Sequence, residues 1–148
     1  MKVYLAVPLR NNRNKLLAKQ LFDIIKSQGF DVLSDWILLD DPNPNLNAQG
    51  IYERDYKAIK LCDLFLAEIS NPSTGVGMEI MLAKLLGKKI FCFHEKNSKV
   101  SNFLLGTPEI SIIKYDNIHL KSILIETISS VNNQSINNSL KSKKYESK

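Results

Sequence analysis

One seven-residue segment, DLFLAEI at residues 63–69, most constrains what the chain can fold into. Nearly all of its residues are apolar, whereas a strand with one solvated face alternates apolar and polar residues. Such a run is typical of a strand that is covered on both faces, as in parallel sheets flanked by helices. We therefore expect this segment to be a central strand of an α/β protein.

Strand-like and helix-like segments alternate along the rest of the chain. Strands are predicted at residues 2–7, 30–33, 63–69, 89–93 and 110–114, and helices at about 14–28, 51–61, 76–86, 100–105 and 118–130. Gly29 and Gly87 each end a helix, and residues 34–50 are expected to form a long loop rich in Asp, Asn and Pro, of a kind that is often functional. The alternation predicts a doubly wound, five-stranded parallel sheet of flavodoxin-like (Rossmann-like) order 2-1-3-4-5, with helices on both faces.

The composition suits one soluble domain with a real core, because the 148 residues are 44% hydrophobic and 24% charged. We assign this domain to residues 1–131 and predict that the Asn-, Ser- and Lys-rich residues 132–148 form a disordered tail. The tail carries +3 of the net charge of +5, which leaves +2 for the domain. The charge therefore does not indicate a nucleic acid polymer as partner, although basic surface helps to attract a small phosphorylated substrate.

Signals for membranes and metals are weak in this sequence. No apolar run approaches the roughly 20 residues that span a bilayer, and residues 1–10 lack the apolar region of a signal peptide. Cys62 and Cys92 lie in apolar contexts typical of reduced, buried thiols, and His94 and His119 lack metal-ligand spacing. We therefore expect a cytoplasmic protein without a membrane partner or a bound metal.

Two loops are expected to meet at one edge of this sheet. In doubly wound sheets, ligands bind beyond the carboxyl ends of the strands, where the strand order reverses between the first and third strands. That point brings together residues 8–13 and residues 70–77, which read SNPSTGVG. Gly75 and Gly77 open a helix there, so a ligand can approach the backbone, and free N–H groups favour an anion.

Glu79 follows these glycines, in what we predict to be the first turn of the helix. The positive end of the helix dipole is expected to lower the pKa of Glu79 and keep its carboxylate ionised. An ionised carboxylate at a switch point suits nucleophilic attack or stabilisation of an oxocarbenium-like centre. The alternative is an ordinary first-turn glutamate that caps its helix, and spacing alone does not exclude it.

Four further residues have two interpretations each. Asp55, near the middle of the second helix, belongs to a solvated face or is a second carboxylate that assists departure of a leaving group. Tyr4, within the first strand, packs in the core or reaches a carboxylate through its hydroxyl. Arg10 and Arg13 precede a helix N-terminus, where they are solvated or bind phosphate.

The segment AEISNPSTGVGMEI, residues 67–80, closely resembles the signature of the nucleoside 2-deoxyribosyltransferase superfamily. Within that superfamily it is most similar to the 2'-deoxynucleoside 5'-phosphate N-hydrolase branch, and the likeness runs from about Tyr4 to Gly106. The resemblance implies a catalytic domain of this type over residues 1–131, which acts without a metal or an organic cofactor.

The resemblance also implies a role for each matching residue. Glu79 matches the nucleophile that forms a covalent 2-deoxyribosyl intermediate, Asp55 the aspartate that assists proton transfer, and Tyr4 the tyrosine that orients the nucleophile. Ser73 matches a serine near the substrate phosphate, and Ser101 one that reaches the phosphate in a neighbouring subunit, which implies a homodimer with shared sites. The other expected substrate contacts are Val7, Pro8, Leu9, Arg10, Asn11, Asn12 and Arg13 in the first loop, Gly75, Gly77, Asn102 and Phe103.

Three positions depart from the family's pattern. The first loop of the hydrolases is glycine-rich, whereas VPLRNNR contains Pro8, which fixes φ and lacks an N–H donor. Trp36 stands in place of a histidine and either stacks on a nucleobase or covers the edge of the core. Leu105 stands in place of an arginine. The base preference is therefore open.

Hydrolysis of deoxynucleoside monophosphates to free base and 2-deoxyribose 5-phosphate is the leading hypothesis. The resemblance favours it over base exchange because transferases of free nucleosides carry Asn at the position of Ser101, and a hydroxyl suits a phosphate. Two alternatives stay open: an N-deoxyribosyltransferase that exchanges bases, and a non-catalytic nucleotide-binding module on the same fold.

Overall fold

The structure is a computed structural model that describes residues 1–10 and 13–131. Asn11 and Asn12, both predicted substrate contacts, and the predicted tail at residues 132–148 lie outside the described residues. The strands are β1 (Lys2–Ala6), β2 (Asp31–Val32), β3 (Leu64–Glu68), β4 (Lys89–Glu95) and β5 (Ile110–Tyr115). They form one parallel sheet in the order β2-β1-β3-β4-β5, which confirms the predicted topology.

Helices cover both faces of this sheet. They are α1 (Lys15–Ser27), α2 (Ala48–Leu61), α3 (Thr74–Leu85), the single turn α4 (Asn102–Leu105) and α5 over residues 120–131. Alternate side chains of each strand point to opposite faces. Thus Val3 and Leu5 pack in one apolar cluster with α1 and α5, whereas Tyr4 and Ala6 pack in another with α2 and α3.

β3 is buried along its whole length, as its apolar sequence predicted. Its side chains divide between the two clusters: Leu64 and Leu66 join the first, and Phe65 and Ala67 join the second. β3 lies between β1 and β4, so both of its edges are also paired. The strand that leads into the SNPSTGVG loop is therefore the most constrained element of the sheet.

Two helices begin earlier than predicted, because residues before them act as N-caps. Asn47 accepts a 2.8 Å hydrogen bond from the N–H of Gly50, so α2 begins at Ala48 rather than at residue 51. Ser73 accepts one of 3.3 Å from the N–H of Val76, so α3 begins at Thr74 rather than at residue 76. Glu79 consequently lies in the second turn of α3, and its assignment to the first turn was wrong.

The segment after β2 is also more ordered than predicted. Residues Asp35–Leu38 form a turn of 3₁₀ helix within what was expected to be a loop. The buried hydroxyl of Ser34 accepts a hydrogen bond from the N–H of Leu5 (2.9 Å) and donates one to the carbonyl oxygen of Leu5 (2.8 Å). β2 is only two residues long, and these side-chain bonds fix the segment beside the end of β1.

Candidate active site

A cavity of about 440 Å³ lies beyond the carboxyl ends of β1 and β3, at the predicted switch point. Seven of the predicted site residues line it: Val7, Leu9, Arg10, Asp55, Ser73, Gly75 and Glu79. Six other residues complete the wall, namely Asn43, Ile51, Arg54, Pro72, Thr74 and Val76. The fold therefore gathers two carboxylates, two arginines and the N-terminus of α3 around one concave space.

Glu79 stands on the wall of this cavity, one turn inside α3. Its Oε1 accepts a 3.0 Å hydrogen bond from the hydroxyl of Tyr4, which rises from the buried strand β1. The Tyr4 ring stacks on Phe65 at a centroid distance of 5.3 Å. Because Tyr4 is 1% exposed, the carboxylate that it contacts has a fixed position.

The pKa of Glu79 moves in the direction opposite to our prediction. Burial raises it to about 7, the nearby charge of Asp55 adds to this rise, and the Tyr4 hydrogen bond and Arg54 oppose it. The predicted lowering by the helix dipole was wrong, because Glu79 lies beyond the first turn, where that field falls off. Burial likewise raises the pKa of Tyr4, so Tyr4 remains a neutral hydrogen-bond donor.

Asp55 approaches the same cavity from α2. Burial raises its pKa, although a hydrogen bond and the charge of Arg54 act against the rise. Nε of Arg54 donates a 2.8 Å hydrogen bond to Oδ1 of Asp55, and Nη2 lies at the same distance from that oxygen. The two carboxyl groups, Asp55 and Glu79, thus share one electrostatic environment, in which burial raises the pKa of both and Arg54 opposes the rise.

Only some of the residues predicted in the first loop line the cavity, and others contact neighbouring parts of the fold. Arg10 lines the cavity, but Pro8 lines a separate small cleft with Asn14 and Glu68. The guanidinium of Arg13 donates instead to the carbonyl oxygens of Ile37 (2.7 Å), Leu39 (2.6 Å) and Asp40 (3.0 Å). Arg13 does not line the cavity, because these carbonyl groups at and after the end of the 3₁₀ helix engage its N–H groups.

Trp36 does not line the cavity but packs against Tyr4 and Arg54. Its ring meets that of Tyr4 edge to face at 6.2 Å, and the guanidinium of Arg54 stacks over it at 4.0 Å. The ring packs against both apolar clusters. Of the two interpretations of Trp36, the structure therefore favours the one in which the ring covers the edge of the core rather than stacking on a nucleobase.

A second, mainly apolar cavity of about 400 Å³ adjoins the first. Gly77, Ser101 and Phe103 line it, together with Lys99. Pro72, Ser73 and Val76 line both cavities and separate them. Phe103 is 75% exposed, and Asn102 is also exposed. The Ser101 segment is therefore near Ser73 but on the far side of a shared wall from Glu79.

Arg54, Ile51 and Asn43 were missed by our sequence analysis, although a signal for two of them was present. Ile51, Arg54 and Asp55 have the spacing i, i+3, i+4, which places them on one face of a helix. If Asp55 faces a ligand, the other two do so as well. Asn43 follows Pro42 in an irregular segment, and no periodicity could have identified it.

The structure also bears on metal binding, on the two cysteines and on membrane-spanning helices. Within residues 1–10 and 13–131, no group of three His, Cys, Asp or Glu side chains is placed to hold a metal ion. Cys62 and Cys92 are both free and buried, as predicted. The described helices include none that is long and apolar enough to cross a membrane.

The chain is similar to several known proteins. A relative from Thermofilum pendens, provisionally named a 2'-deoxynucleoside 5'-phosphate N-hydrolase, is 34% identical over 72% of this chain and 78% of its own length. The 5-hydroxymethyl-dUMP N-hydrolase of Danio rerio is 25% identical over 85% of this chain and 94% of its own. The solved structure of the Clostridium botulinum CMP N-glycosidase has the same fold, with a TM-score of 0.63 at 24% identity, over 86% of this chain and 98% of that one. The nucleoside 2-deoxyribosyltransferase family model matches residues 3–138, and the chain belongs to this family.

Proposed function

We propose that this protein hydrolyses the N-glycosidic bond of 2'-deoxynucleoside 5'-monophosphates and releases the free base and 2-deoxyribose 5-phosphate. The observation that carries the proposal is the pair of carboxyl groups, Glu79 and Asp55, on one cavity with the Tyr4 hydroxyl bonded to Glu79. The relatives from Thermofilum pendens and Danio rerio are named as N-hydrolases of nucleotides. Glycoside cleavage by two carboxyl groups needs no cofactor.

In the first step, an oxygen of ionised Glu79 attacks C1' of the sugar. A C–O bond forms, the N-glycosidic bond breaks, and its electron pair leaves with the base nitrogen. The base accepts the proton that Asp55 carries, so that it departs as a neutral molecule. Burial favours the protonated form of both carboxyl groups, and in the proposed reactive form Asp55 holds a proton while Glu79 is ionised.

In the second step, water attacks C1' of the glycosyl ester. The ionised Asp55 accepts a proton from the water, and the electron pair of the ester C–O bond returns to Glu79. The sugar leaves with retained configuration, and Asp55 is protonated again. Tyr4 supports both steps, because its hydroxyl donates to Glu79 whenever this group is an anion and fixes its orientation.

The substrate phosphate has a suitable place at the start of α3. Ser73 and the first residues of this helix line the cavity, and helix N-termini favour anions. Arg10 lies on the same cavity and supplies a formal positive charge. We assign the phosphate to this group, and Arg13 supports it indirectly by fixing the neighbouring segment.

We further propose that two copies of the chain form a homodimer in which Ser101 of each copy completes the site of the other. Ser101 and the exposed Phe103 stand at the second cavity, which shares Ser73 with the first. An exposed aromatic residue beside an apolar cavity is typical of a surface that another protein covers. We place the dimer in the cytoplasm, and the free thiols of Cys62 and Cys92 accord with a reducing compartment.

The test is a panel of deoxynucleotides, ribonucleotides and their nucleosides, assayed for released base by chromatography. Base and 2-deoxyribose 5-phosphate from deoxynucleotides, in equal amounts, are the expected products. Added free adenine separates the alternatives, because a new nucleoside or nucleotide indicates base transfer. Tight nucleotide binding without base release at any pH would identify a binding module instead.

A further inference from the structure

Arg54 and Asp55 are neighbours in α2, yet they form a close ion pair. Consecutive helix residues point about 100° apart and do not normally face each other. The helix alone therefore does not account for the contact between Nε of Arg54 and Oδ1 of Asp55. Something outside α2 has to hold the guanidinium in place.

Two groups of the preceding segment supply this support. The Trp36 ring lies under the guanidinium at 4.0 Å, and the carbonyl oxygen of Pro42 accepts a 2.7 Å hydrogen bond from Nη1. A stacking contact and a hydrogen bond together restrict both the plane and the rotation of an arginine side chain. Arg13 holds the backbone between Trp36 and Pro42 through the carbonyls of residues 37, 39 and 40.

We propose that Arg54 is a positioning residue for Asp55: held by Trp36 and Pro42, it fixes Oδ1 and so aims the other carboxyl oxygen at the substrate. This inference rests on the proposed function, in which Asp55 exchanges a proton with the leaving base and with water. The side chains of Arg54 and Asp55 are only 20% and 18% exposed, so that solvent screens their attraction less than it does at the surface. Trp36 also contacts Tyr4. The same ring therefore packs against Arg54, the partner of Asp55, and against Tyr4, the partner of Glu79.

The charge of Arg54 acts on the same pair of carboxyl groups. The charged and titratable groups that face the pair are Arg54 from α2, Tyr4 from β1 and Arg10 from the loop after β1. Arg54 favours the ionised form of both Asp55 and Glu79. Removal of this cation therefore raises the pH at which the pair loses its proton.

The experiment compares Arg54→Met, Arg54→Lys and the matched control Lys57→Met, an exposed lysine of the same helix. Arg54→Met should lower kcat by about 10- to 100-fold with a smaller change in KM, because the proton donor loses its orientation. Its acidic limb in the kcat/KM profile should move to higher pH. Arg54→Lys keeps the charge but not the fork, so it should leave that limb near the wild-type position and restore part of kcat.

A measurement without turnover separates this inference from the proposed function. In the free protein, a carbon-detected NMR titration follows the Glu79 carboxyl group in wild type, the two Arg54 variants and Lys57→Met. A rise of the Glu79 pKa in Arg54→Met only, with a native circular dichroism spectrum, supports Arg54 even if the wild type releases no base. An unchanged Glu79 titration and unchanged kcat in Arg54→Met would overturn it.

Discussion

The hydroxyl of Tyr4 and Oε1 of Glu79 are joined by a 3.0 Å hydrogen bond, although 75 residues separate them in sequence. The contact connects the first strand of the sheet with the second turn of α3. It exists because Tyr4 faces α3 from a parallel strand next to β3, the strand that leads into that helix. The bond lowers the pKa of Glu79, against the larger effect of burial.

Tyr4→Phe removes this bond and retains the ring. The ionised form of Glu79 then loses a donor, so its pKa rises and the acidic limb of kcat/KM moves to higher pH. A hydrogen bond to a charged group is worth about 1.5–3 kcal/mol, so we expect a loss of about 10- to 100-fold at pH 6. The measurement is the pH profile of base release.

Tyr115→Phe is the matched control for this change. Tyr115 is also a buried tyrosine, and its hydroxyl donates a 3.1 Å hydrogen bond to a different carboxylate, that of Glu68. Its loss should alter stability without moving the acidic limb. If both variants moved the limb equally, the effect would come from packing and not from the bond to Glu79.

Glu79→Gln replaces the proposed nucleophile with a group of the same shape. The amide cannot form the glycosyl ester, so base release should fall by about a thousandfold or more, whereas nucleotide binding stays within a few-fold of wild type. Chromatographic assay of the base and calorimetric titration with a nucleotide measure the two quantities. Glu126→Gln, an exposed change on α5, serves as the control. Normal turnover by Glu79→Gln would refute the assignment.

We also expect the unfolding free energy of Glu79→Gln to differ from that of wild type by an amount that depends on pH. The folded pKa of Glu79, about 7, lies above its ordinary value of 4.5, so the folded state binds this proton more tightly than the unfolded state does. The stabilisation is complete below pH 4.5 and is lost as the pH rises through 7. Relative to wild type, Glu79→Gln should therefore gain up to about 3 kcal/mol of unfolding free energy between pH 4.5 and pH 8.

Urea unfolding of both proteins at several pH values measures this difference. Carboxyl groups that do not interact with Glu79 are common to wild type and variant and cancel in the comparison, whereas the charge of Asp55 acts on Glu79 and is part of the measured difference. A constant difference across the range would mean that the Glu79 carboxyl group is not destabilised by burial. Glu126→Gln, which changes an exposed carboxyl group of α5, is the control for this comparison.

The sequence predicted the sheet and most of the cavity, because both depend on regular patterns. Hydrophobic periodicity located the strands, and the parallel order placed the loops after β1 and β3 together. Local chemistry outside these patterns was harder to predict. Asn47 and Ser73 act as N-caps, so α2 and α3 begin earlier than predicted. In α3, the earlier start places Glu79 in the second turn, beyond the first turn in which the field of the helix dipole is strongest.

The electrostatics could not be predicted, since they depend on contacts distant in sequence. The raised pKa of Glu79 results from burial and from Asp55, which approaches on another helix. The role of Arg13 likewise depends on carbonyl groups of residues 37–40 that happen to face it. An arginine in a loop before a helix suggests phosphate binding, but an ordered neighbouring segment with free carbonyl groups competes for the same N–H donors.

A mixture of two variants distinguishes a dimer in which Ser101 completes the partner's site from a site in which Ser101 acts within its own chain. Ser101→Asp should weaken nucleotide hydrolysis, because its carboxylate repels the phosphate, and Glu79→Gln abolishes it. In a hybrid of the two subunits, one site combines wild-type Glu79 with the wild-type Ser101 of the partner. Co-expression in equal amounts should therefore restore about a quarter of wild-type activity, since half of the dimers are hybrids with one good site each.

The control hybrid pairs Glu79→Gln with Asp55→Asn. These two residues line the same cavity of one chain, so neither site of that hybrid is complete and no activity should return. Sedimentation equilibrium verifies that each variant forms a dimer before activities are compared. If the Ser101→Asp hybrid recovered no more than the control, Ser101 would act within its own chain, across the wall formed by Ser73 and Val76.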